Sequence, residues 1–243
     1  MRYLVLSDIH GNLQALSAIL DTVPRRDYDG VVCLGDLIGY GGDPNAVVDQ
    51  MRDLSPVAIV RGNHDKVALG IEQAKDFNFV AREAAEWTLE TLTRSNRSYL
   101  SKLERGPALV DDLLEICHGA PQDEDAYIFE HADAEEAVQV MRTPLLMFGH
   151  THIAGAFKYS RKTLERLDEV SELTIDRRAK YLVNPGAVGQ PRDGDTRAAY
   201  AMVDTTTRSV RLLRVGYRID EARARINAAG LPDSLAHRLE LGR

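Results

Sequence analysis

Short apolar runs alternate with helical patterns over the first sixty residues, and this alternation constrains the fold more than any other sequence feature. Apolar runs at residues 2–7, 30–34 and 57–60 predict three buried strands. Between them lie an apolar pattern of helical spacing at residues 13–20 and a second helix that begins at Asp43 and Pro44, with Asp43 as its cap. This strand–helix–strand–helix–strand order predicts a parallel sheet.

Composition excludes several classes of protein. The chain has 243 residues, of which 44% are hydrophobic and 28% charged, as in ordinary globular domains. Its net charge of −7 disfavours a stable nucleic-acid complex, because phosphates attract basic proteins. Two cysteines, Cys33 and Cys117, exclude a disulfide-rich secreted scaffold. Without a membrane-length apolar stretch or a signal-peptide pattern, the sequence predicts a cytoplasmic protein with no membrane partner.

The rest of the chain shows no linker, so we expect a single domain over residues 1–243. A helix-forming stretch at about 76–105 lacks any strand pattern and predicts a small helical insertion, in which Ser95 caps the second helix. Strand patterns return near residue 108 and follow one another closely from residue 155 to 215, with one or two strands over 164–175. This meander predicts a second, mostly antiparallel sheet, and the tail at about 219–243 is helical.

Five short motifs of histidine and acidic residues each follow a predicted strand. The carboxyl ends of parallel strands share one sheet edge, where ligands bind. In an extended segment residues i and i+2 point the same way, so two neighbouring ligands in one motif can face one ion. Carboxylate and imidazole ligands together suit Mn, Fe, Zn or Ni better than Ca or Mg. The motifs are Asp8-Ile9-His10, Gly35-Asp36, Gly62-Asn63-His64-Asp65, His118-Gly119 and Gly149-His150-Thr151-His152.

Single residues in these motifs also have simpler explanations. Asp8 either binds a metal ion or caps the helix near Leu13. Asp65 either orients the imidazole of His64 or caps the helix that follows. The complete set would require five independent coincidences at one sheet edge, so the set as a whole predicts a metal site.

The same motifs, in the same order, resemble those of the calcineurin-like metallophosphoesterases. The family pattern of D-x-H, G-D-x-x, G-N-H-D/E, a lone H and G-H-x-H is complete between residues 8 and 152. Residues 184–192 resemble the small bacterial and archaeal phosphodiesterase branch. The resemblance implies an α/β fold, a four-layer α/β/β/α sandwich of two mixed sheets flanked by helices. It also implies a hydrolase with two divalent transition-metal ions, Mn²⁺ first, with Fe, Zn or Ni as alternatives.

The resemblance also implies a role for each motif residue. One ion is held by Asp8, His10, Asp36 and His152, and the other by Asp36, Asn63, His118 and His150. Asp36 therefore bridges the two ions, between which a bridging hydroxide attacks phosphorus. His64 is the family's proton donor or transition-state stabiliser, so Asp36 and His64 are the expected catalytic residues.

A departure from the family pattern bears on the substrate. The protein-phosphatase branch reads G-D-x-x-D-R-G, whereas Gly39-Tyr40 stands here in place of the Asp-Arg pair. A diester carries one charge fewer than a monoester and needs less cationic clamping. We therefore expect a phosphodiesterase for a small-molecule or nucleotide-like diester. The alternatives are a phosphomonoesterase, including a phosphoprotein or dinucleoside polyphosphate phosphatase, and a non-catalytic binding scaffold on the same fold.

Two arginines and two aromatic residues remain candidates for the substrate site. Arg192 lies in a glycine- and proline-rich loop and is a candidate substrate contact. Arg61 either contacts substrate or forms a structural salt bridge. Phe77 and Phe79, in the helical insertion, either stack on an aromatic group of the substrate or anchor the insertion.

Overall fold

The computed structural model describes residues 1–74, 77–167 and 170–243. Twelve strands occur in these ranges: β1 (Arg2–Leu6), β2 (Gly30–Cys33), β3 (Ala58–Ile59), β4 (Ala108–Leu109), β5 (Leu114–Ile116), β6 (Leu145–Met147), β7 (Gly155–Ser160), β8 (Thr163–Leu167), β9 (Glu172–Thr174), β10 (Lys180–Asn184), β11 (Ala198–Asp204) and β12 (Ser209–Val215). Eight α-helices accompany them in the same part of the chain: α1 (Leu13–Thr22), α2 (Pro44–Leu54), α3 (Asn63–Ala68), α4 (Phe79–Thr91), α5 (Arg94–Leu100), α6 (His131–Val140), α7 (Ile219–Ala228) and α8 (Asp233–Leu239). None of the described helices combines the length and apolar character needed to span a membrane.

The strands form two mixed sheets of six, which confirms the predicted fold class. The first has the order β3-β2-β1-β11-β12-β9 and the second the order β4-β5-β6-β10-β7-β8. The predicted parallel pairing of β1 with β2 and of β2 with β3 is present. In the second sheet β5, β6 and β10 are parallel and the outer strands antiparallel.

The prediction that the late strands together form the second sheet was wrong. They do not form one separate meander, because β9, β11 and β12 join the first sheet while β7, β8 and β10 join the second. β11 pairs antiparallel with the free edge of β1, and six of its seven residues are buried, so it needs a central position. The motifs consequently lie at the edges of two sheets, not one. Residues 168 and 169 of the predicted strand region lie outside the described residues, as does residue 76 of the insertion.

The core consists of apolar layers on both faces of each sheet. In β1, Tyr3 and Val5 face the second sheet, where they join a cluster that includes Met147 and Val183. The alternate residues, among them Leu4, pack instead with the apolar faces of α1 and α2. On the far side, α6 covers the second sheet through alanine and valine side chains. The result is the layer order helix, sheet, sheet, helix.

Two predicted helix caps differ from the structure. Asp43 stands immediately before α2, but its carboxylate accepts from Arg225 Nε at 2.7 Å instead of capping the helix. Thr93, not Ser95, caps α5, because its hydroxyl oxygen accepts from the backbone N–H of Asn96. The Asp43 correction depends on a contact with a distant helix, whereas the Thr93 cap is local and lies two residues before the predicted one.

The C-terminal helices pack beside the loop at residues 39–43. Tyr40 belongs to an apolar cluster with Ile226 of α7 and Leu239 of α8, and α4 contributes Ala84. A side chain at Gly42 would overlap the backbone of Arg225, so glycine is required for this close packing. The tail therefore forms a wall next to the strand-end loops.

We expect Glu115 to be a stability-determining residue of the second sheet. Its carboxylate is fully buried and accepts from Arg142 and from both the backbone and the hydroxyl of Thr143. Glu115→Ala would leave the buried backbone N–H of Thr143 unpaired and remove the ion pair with Arg142, so it should lower the free energy of unfolding by about 2 kcal/mol in urea titrations. Glu135→Ala, at an exposed position of α6, is the matched control and should change it by less than about 0.5 kcal/mol. Equal effects of the two substitutions would contradict this prediction.

Candidate metal centre

The predicted ligands come together where the carboxyl ends of the two sheets meet. Asp8 and His10 follow β1, Asp36 follows β2, and Asn63 begins α3. From the second sheet, His118 follows β5, and His150 and His152 follow β6. All except Asn63 are buried.

These loops are not the extended segments that the spacing argument assumed. Asp8, His10, Asp36, His150 and His152 all have positive φ, between 50° and 68°. Such conformations are costly for non-glycine residues and persist only where surrounding structure holds them. Here backbone bonds provide that support, since the N–H of Asp8 donates to Gly35 and the N–H of His10 to Asp36. In the first and last motifs, which each contain two candidate ligands, left-handed turns therefore bring both side chains to one place.

The ligand atoms form two groups that share Asp36. In the first group, Asp8, His10, Asp36 and His152 present atoms that lie within 4.8 Å of one another. The second contains Asp36, His118 and His150 at the same limit, and Asn63 Oδ1 lies 3.1 Å from His118 Nε2. Asp36 Oδ2 is 3.5 Å from His10 Nε2 and 3.4 Å from His118 Nε2, so one oxygen faces both groups.

Backbone carbonyls orient all four imidazoles. Nδ1 of His10, His118 and His152 faces the carbonyl oxygens of Ile38, Leu34 and Gln190, at 3.0, 2.9 and 2.6 Å. His150 is reversed, with Nε2 at 3.0 Å from the carbonyl of Asp125. A carbonyl only accepts, so these nitrogens carry the protons and the opposite nitrogens point to the centre as potential ligands.

Two observations indicate that this centre is suited to binding cations. Asp36 Oδ2 is buried and has no hydrogen-bond partner among the described residues. In addition, the Nε2 atoms of His10 and His152 are only 3.0 Å apart although both rings donate through Nδ1. Two opposed lone pairs repel each other unless a positive ion lies between them. The donor set of carboxylate, imidazole and amide oxygen suits divalent transition metals.

The ionisation of these groups is consistent with metal binding. Burial lowers the pKa of His10, His150 and His152, to about 3 for His150, so that these rings are neutral. Burial also lowers the pKa of His118, but the Asp36 carboxylate outweighs it and raises that pKa to about 10. An ion bound beside His118 would displace this proton.

The contacts of Asp8 and Asp65 decide whether either residue caps a helix. Asp8 does not cap α1, because the Asn12 side chain accepts from the N–H of Ala15 in that role. Asp65 does not contact the imidazole of His64. Its oxygens accept at 3.0–3.3 Å from four backbone N–H groups, those of Gly62, Asp36, Leu37 and Ile38. Asp65 thus caps α3 and clamps the loop of Asp36 at the same time.

The imidazole of His64 lies beside the ligand groups without belonging to them. Its ring packs against Tyr40 and Phe77, at centroid distances of 4.3 and 4.5 Å. Neither ring nitrogen has a hydrogen-bond partner within the described part of the chain, and Nδ1 is buried. Burial lowers the pKa of His64 to about 4. The ring is therefore held by packing, and its N–H is available to a bound molecule.

The two candidate arginines have different surroundings. Arg61 makes a bidentate pair with Glu124, at 3.0 and 2.9 Å, as the salt-bridge alternative requires. Arg192 donates from Nη2 to Gln190 at 3.0 Å and stands over the Tyr40 ring at 5.7 Å. Only Arg192 of these two lines the cavity described next.

A cavity of about 400 Å³ opens in front of the second ligand group. Sequence reasoning missed several of its residues, among them one aromatic and one cationic side chain. Tyr127 stacks on His150, with ring centroids 3.9 Å apart, and Arg238 reaches the cavity from α8. Neither had a sequence signal, because Tyr127 lies in an irregular loop and Arg238 in a helix that resembles a solvated tail. Of the two phenylalanines, Phe77 lines the cavity, while Phe79 is 78% exposed.

Comparison with known proteins establishes the family. Residues 1–208 match the model of the calcineurin-like phosphoesterase superfamily domain. The chain belongs to this superfamily. An uncharacterized protein of Methanocaldococcus jannaschii is 35% identical over 98% of this chain and 97% of its own length.

Two solved structures extend the comparison. A metallophosphoesterase from Sphaerobacter thermophilus is 36% identical with a TM-score of 0.86, over 100% of this chain and 99% of that one. A hypothetical protein of Pyrococcus horikoshii, 20% identical, shares the fold with a TM-score of 0.81, covering 100% of this chain and 98% of its own.

Membership in the calcineurin-like phosphoesterases indicates the class of reaction that this site supports. The superfamily supports a hydrolase that acts on phosphate esters. The two ligand groups that share Asp36 fit the superfamily's dinuclear metal site. The superfamily match ends at residue 208, so α7 and α8 lie beyond it.

We expect Gly62→Ala to impair metal binding. A Cβ atom at this position would overlap the Asp36 carboxylate and displace the shared ligand. After loading with Mn²⁺ and dialysis, elemental analysis should find less than half of the wild-type metal content. Gly155→Ala, whose Cβ meets nothing within 4 Å, is the matched control and should retain the wild-type content. Wild-type metal content in a folded Gly62→Ala protein would contradict the assignment of Asp36.

Proposed function

We propose that this chain is a phosphodiesterase that uses two divalent transition-metal ions on a small or nucleotide-like diester. The observation that carries the proposal is the shared Asp36 oxygen, which is buried, faces both ligand groups beside an open cavity, and has no hydrogen bond among the described residues. Mn²⁺ is the proposed metal, with Fe, Zn or Ni as alternatives, and the cytoplasm is the proposed compartment.

The proposed metal ligands are Asp8, His10, Asp36 and His152 for one ion, and Asp36, Asn63, His118 and His150 for the other. When bound, such a pair of ions supplies an activated water and positive charge for the phosphoryl oxygens. The chain contributes orientation, since carbonyl groups hold the imidazoles and the backbone N–H of His64 donates to Asp36 Oδ1 at 2.9 Å. Asn63 would contribute a neutral amide oxygen. The ion that it binds would therefore keep more positive charge than it would beside a carboxylate.

His64 is proposed to act on the substrate directly. Its ring lines the cavity, and none of the described residues competes for its nitrogens. It either donates a proton to the leaving oxygen, which requires the negative charge of a bound phosphate to raise its pKa from about 4, or stabilises charge on the phosphoryl group through a hydrogen bond. Arg192 is proposed as a cationic substrate contact in the same cavity. For Arg61 the bidentate pair with Glu124 favours a structural role.

The preference for diesters is supported by the loop at residues 39–43. Tyr40 occupies the loop position where the phosphatase branch has an arginine, and its ring packs against His10 and His64. This loop therefore offers no guanidinium group to a monoester dianion. The alternatives are a phosphomonoesterase, including a phosphoprotein or dinucleoside polyphosphate phosphatase, and a non-catalytic scaffold, which the complete ligand set disfavours.

We expect metal-dependent hydrolysis with a higher kcat/KM for diesters than for monoesters. Chelation should abolish hydrolysis of bis-p-nitrophenyl phosphate, and added Mn²⁺ should restore it, because the charge for the phosphoryl group comes from the ions. With the restored enzyme, kcat/KM should be at least about tenfold higher for the bis ester than for p-nitrophenyl phosphate, a difference of 1.4 kcal/mol.

Three results would count against this proposal. Full activity after exhaustive chelation would show that hydrolysis does not depend on bound metal. A higher kcat/KM for p-nitrophenyl phosphate, or efficient dephosphorylation of a phosphopeptide, would favour the monoesterase alternative. A metal-loaded protein that hydrolyses none of these esters would favour the scaffold.

We expect His64→Ala to impair poor leaving groups most. Nitrophenolate departs without help, whereas an alkoxide must be protonated, and general acid catalysis is worth roughly 10²–10⁴-fold. The loss of kcat/KM should therefore increase with the pKa of the leaving group across a series of diesters. Metal content should stay near the wild-type value, since His64 is not proposed as a ligand.

His237→Ala is the control for this series, because that side chain is 68% exposed on α8. It should leave the whole series unchanged. If His64→Ala slows all esters by one common factor, the proton-donor role is rejected and charge stabilisation is favoured. Loss of bound metal in His64→Ala would reject the division into ligands and substrate-contacting residues.

A further inference from the structure

Two guanidinium groups line the cavity without a side-chain carboxylate partner among the described residues. Arg192 donates to Gln190, and its buried Nε has no partner within that part of the chain. Arg238 donates from Nε to the main-chain oxygen of Arg243 at 2.7 Å. The acidic side chains at the same cavity, Glu72 and Asp125, both pair with Lys66, at 2.7 and 2.5 Å. Neither guanidinium group is therefore matched by an acidic side chain within the described residues of this cavity.

The two arginines lie at different distances from the metal centre. The backbone N–H of Arg192 donates to the carbonyl of His152 at 3.1 Å, and its positive charge helps to lower the pKa of His152 and of His64. Arg238 stands on α8. Burial lowers its pKa, followed by the like charge of Arg192. Arg238 thus enters the cavity from the C-terminal helices, whereas Arg192 is joined to the loop of His152.

The position of Arg238 is set by the packing of α8. Leu235 and Leu239 of this helix are buried in the cluster that contains Tyr40, so the helix is fixed against the loop at residues 39–43. The side chain of Arg238 is itself half-buried. A half-buried guanidinium near a second one is unfavourable without an anion, because like charges repel and burial removes water.

We propose that Arg238, together with Arg192, binds a second phosphate group of the substrate, separate from the ester phosphate at the metal centre. This inference rests on the proposed function, since it assigns the far end of the same substrate. Two adjacent guanidinium groups match the double charge and three oxygens of a terminal phosphate better than the single charge of a carboxylate. The preferred substrates are then diesters that also carry a phosphomonoester group.

The experiment compares two chromogenic substrates that differ only in a distal phosphate. They are the p-nitrophenyl ester of thymidine 5′-phosphate and the same ester with an additional 3′-phosphate. For the wild type, kcat/KM should be at least about tenfold higher with the 3′-phosphate. Arg238→Gln should lower this ratio about tenfold, and Arg238→Lys should restore part of it, because a cation returns without the planar fork.

The ratio of two substrates on one preparation is independent of the fraction of folded enzyme. Arg218→Gln is the matched control, since it removes the same charge from the C-terminal segment at a side chain that is 76% exposed. It should keep the wild-type ratio. A wild-type ratio near one, or an unchanged ratio in Arg238→Gln, overturns the inference and leaves the proposed function intact.

Failure of the proposed function has a different signature, namely hydrolysis of neither ester by the metal-loaded wild type. Calorimetry with the metal-loaded protein then decides the inference without turnover. Thymidine 3′,5′-bisphosphate should bind about tenfold more tightly than thymidine 5′-phosphate, and Arg238→Gln should abolish this difference. Equal affinities of the wild type for the two nucleotides would overturn the inference.

Discussion

The buried carboxylate of Asp65 joins the two segments on which the metal centre depends. It accepts N–H groups from the loop after β2 and from the start of α3, which contain Asp36 and Asn63 respectively. Burial and the nearby Asp36 raise the pKa of Asp65 to about 7, while its backbone donors favour the ionised form. The left-handed conformation of Asp36 costs free energy, and this clamp helps to hold it. A residue that is not itself a proposed ligand therefore helps to fix the position of the shared Asp36.

Contacts between the sheets complete the centre. The N–H of His150, on the second sheet, donates to the Asp8 carboxylate of the first at 3.2 Å. A side chain at Gly149 would overlap Ser7, so the two loops approach as closely as backbone atoms allow. The late strands make this approach possible, because β11 extends the sheet of β1 while β10 extends that of β6.

Much of the candidate site was predictable because the ligands occur in short motifs at strand ends. The motif order, together with the resemblance, indicated the family and the fold class, and both are confirmed. Hydrophobic periodicity does not reveal which sheet a strand joins, so the late strands were misassigned. The competing roles of Asp8 and Asp65 differ only in tertiary contacts, which spacing does not determine. Arg238 is unremarkable in sequence, and only the packing of α8 against Tyr40 brings it to the cavity.

The orientation of the imidazoles by backbone carbonyls has a consequence for sequence divergence. Where a side-chain carboxylate orients a histidine, a single substitution removes the acceptor and can change the tautomer. At Leu34, Ile38, Asp125 and Gln190, any replacement leaves the carbonyl in place. The surroundings of the centre can therefore change in size and polarity while the ring nitrogens keep their direction. Substrate preference and metal geometry are in this way separable, and the cavity can be remodelled without dismantling the centre.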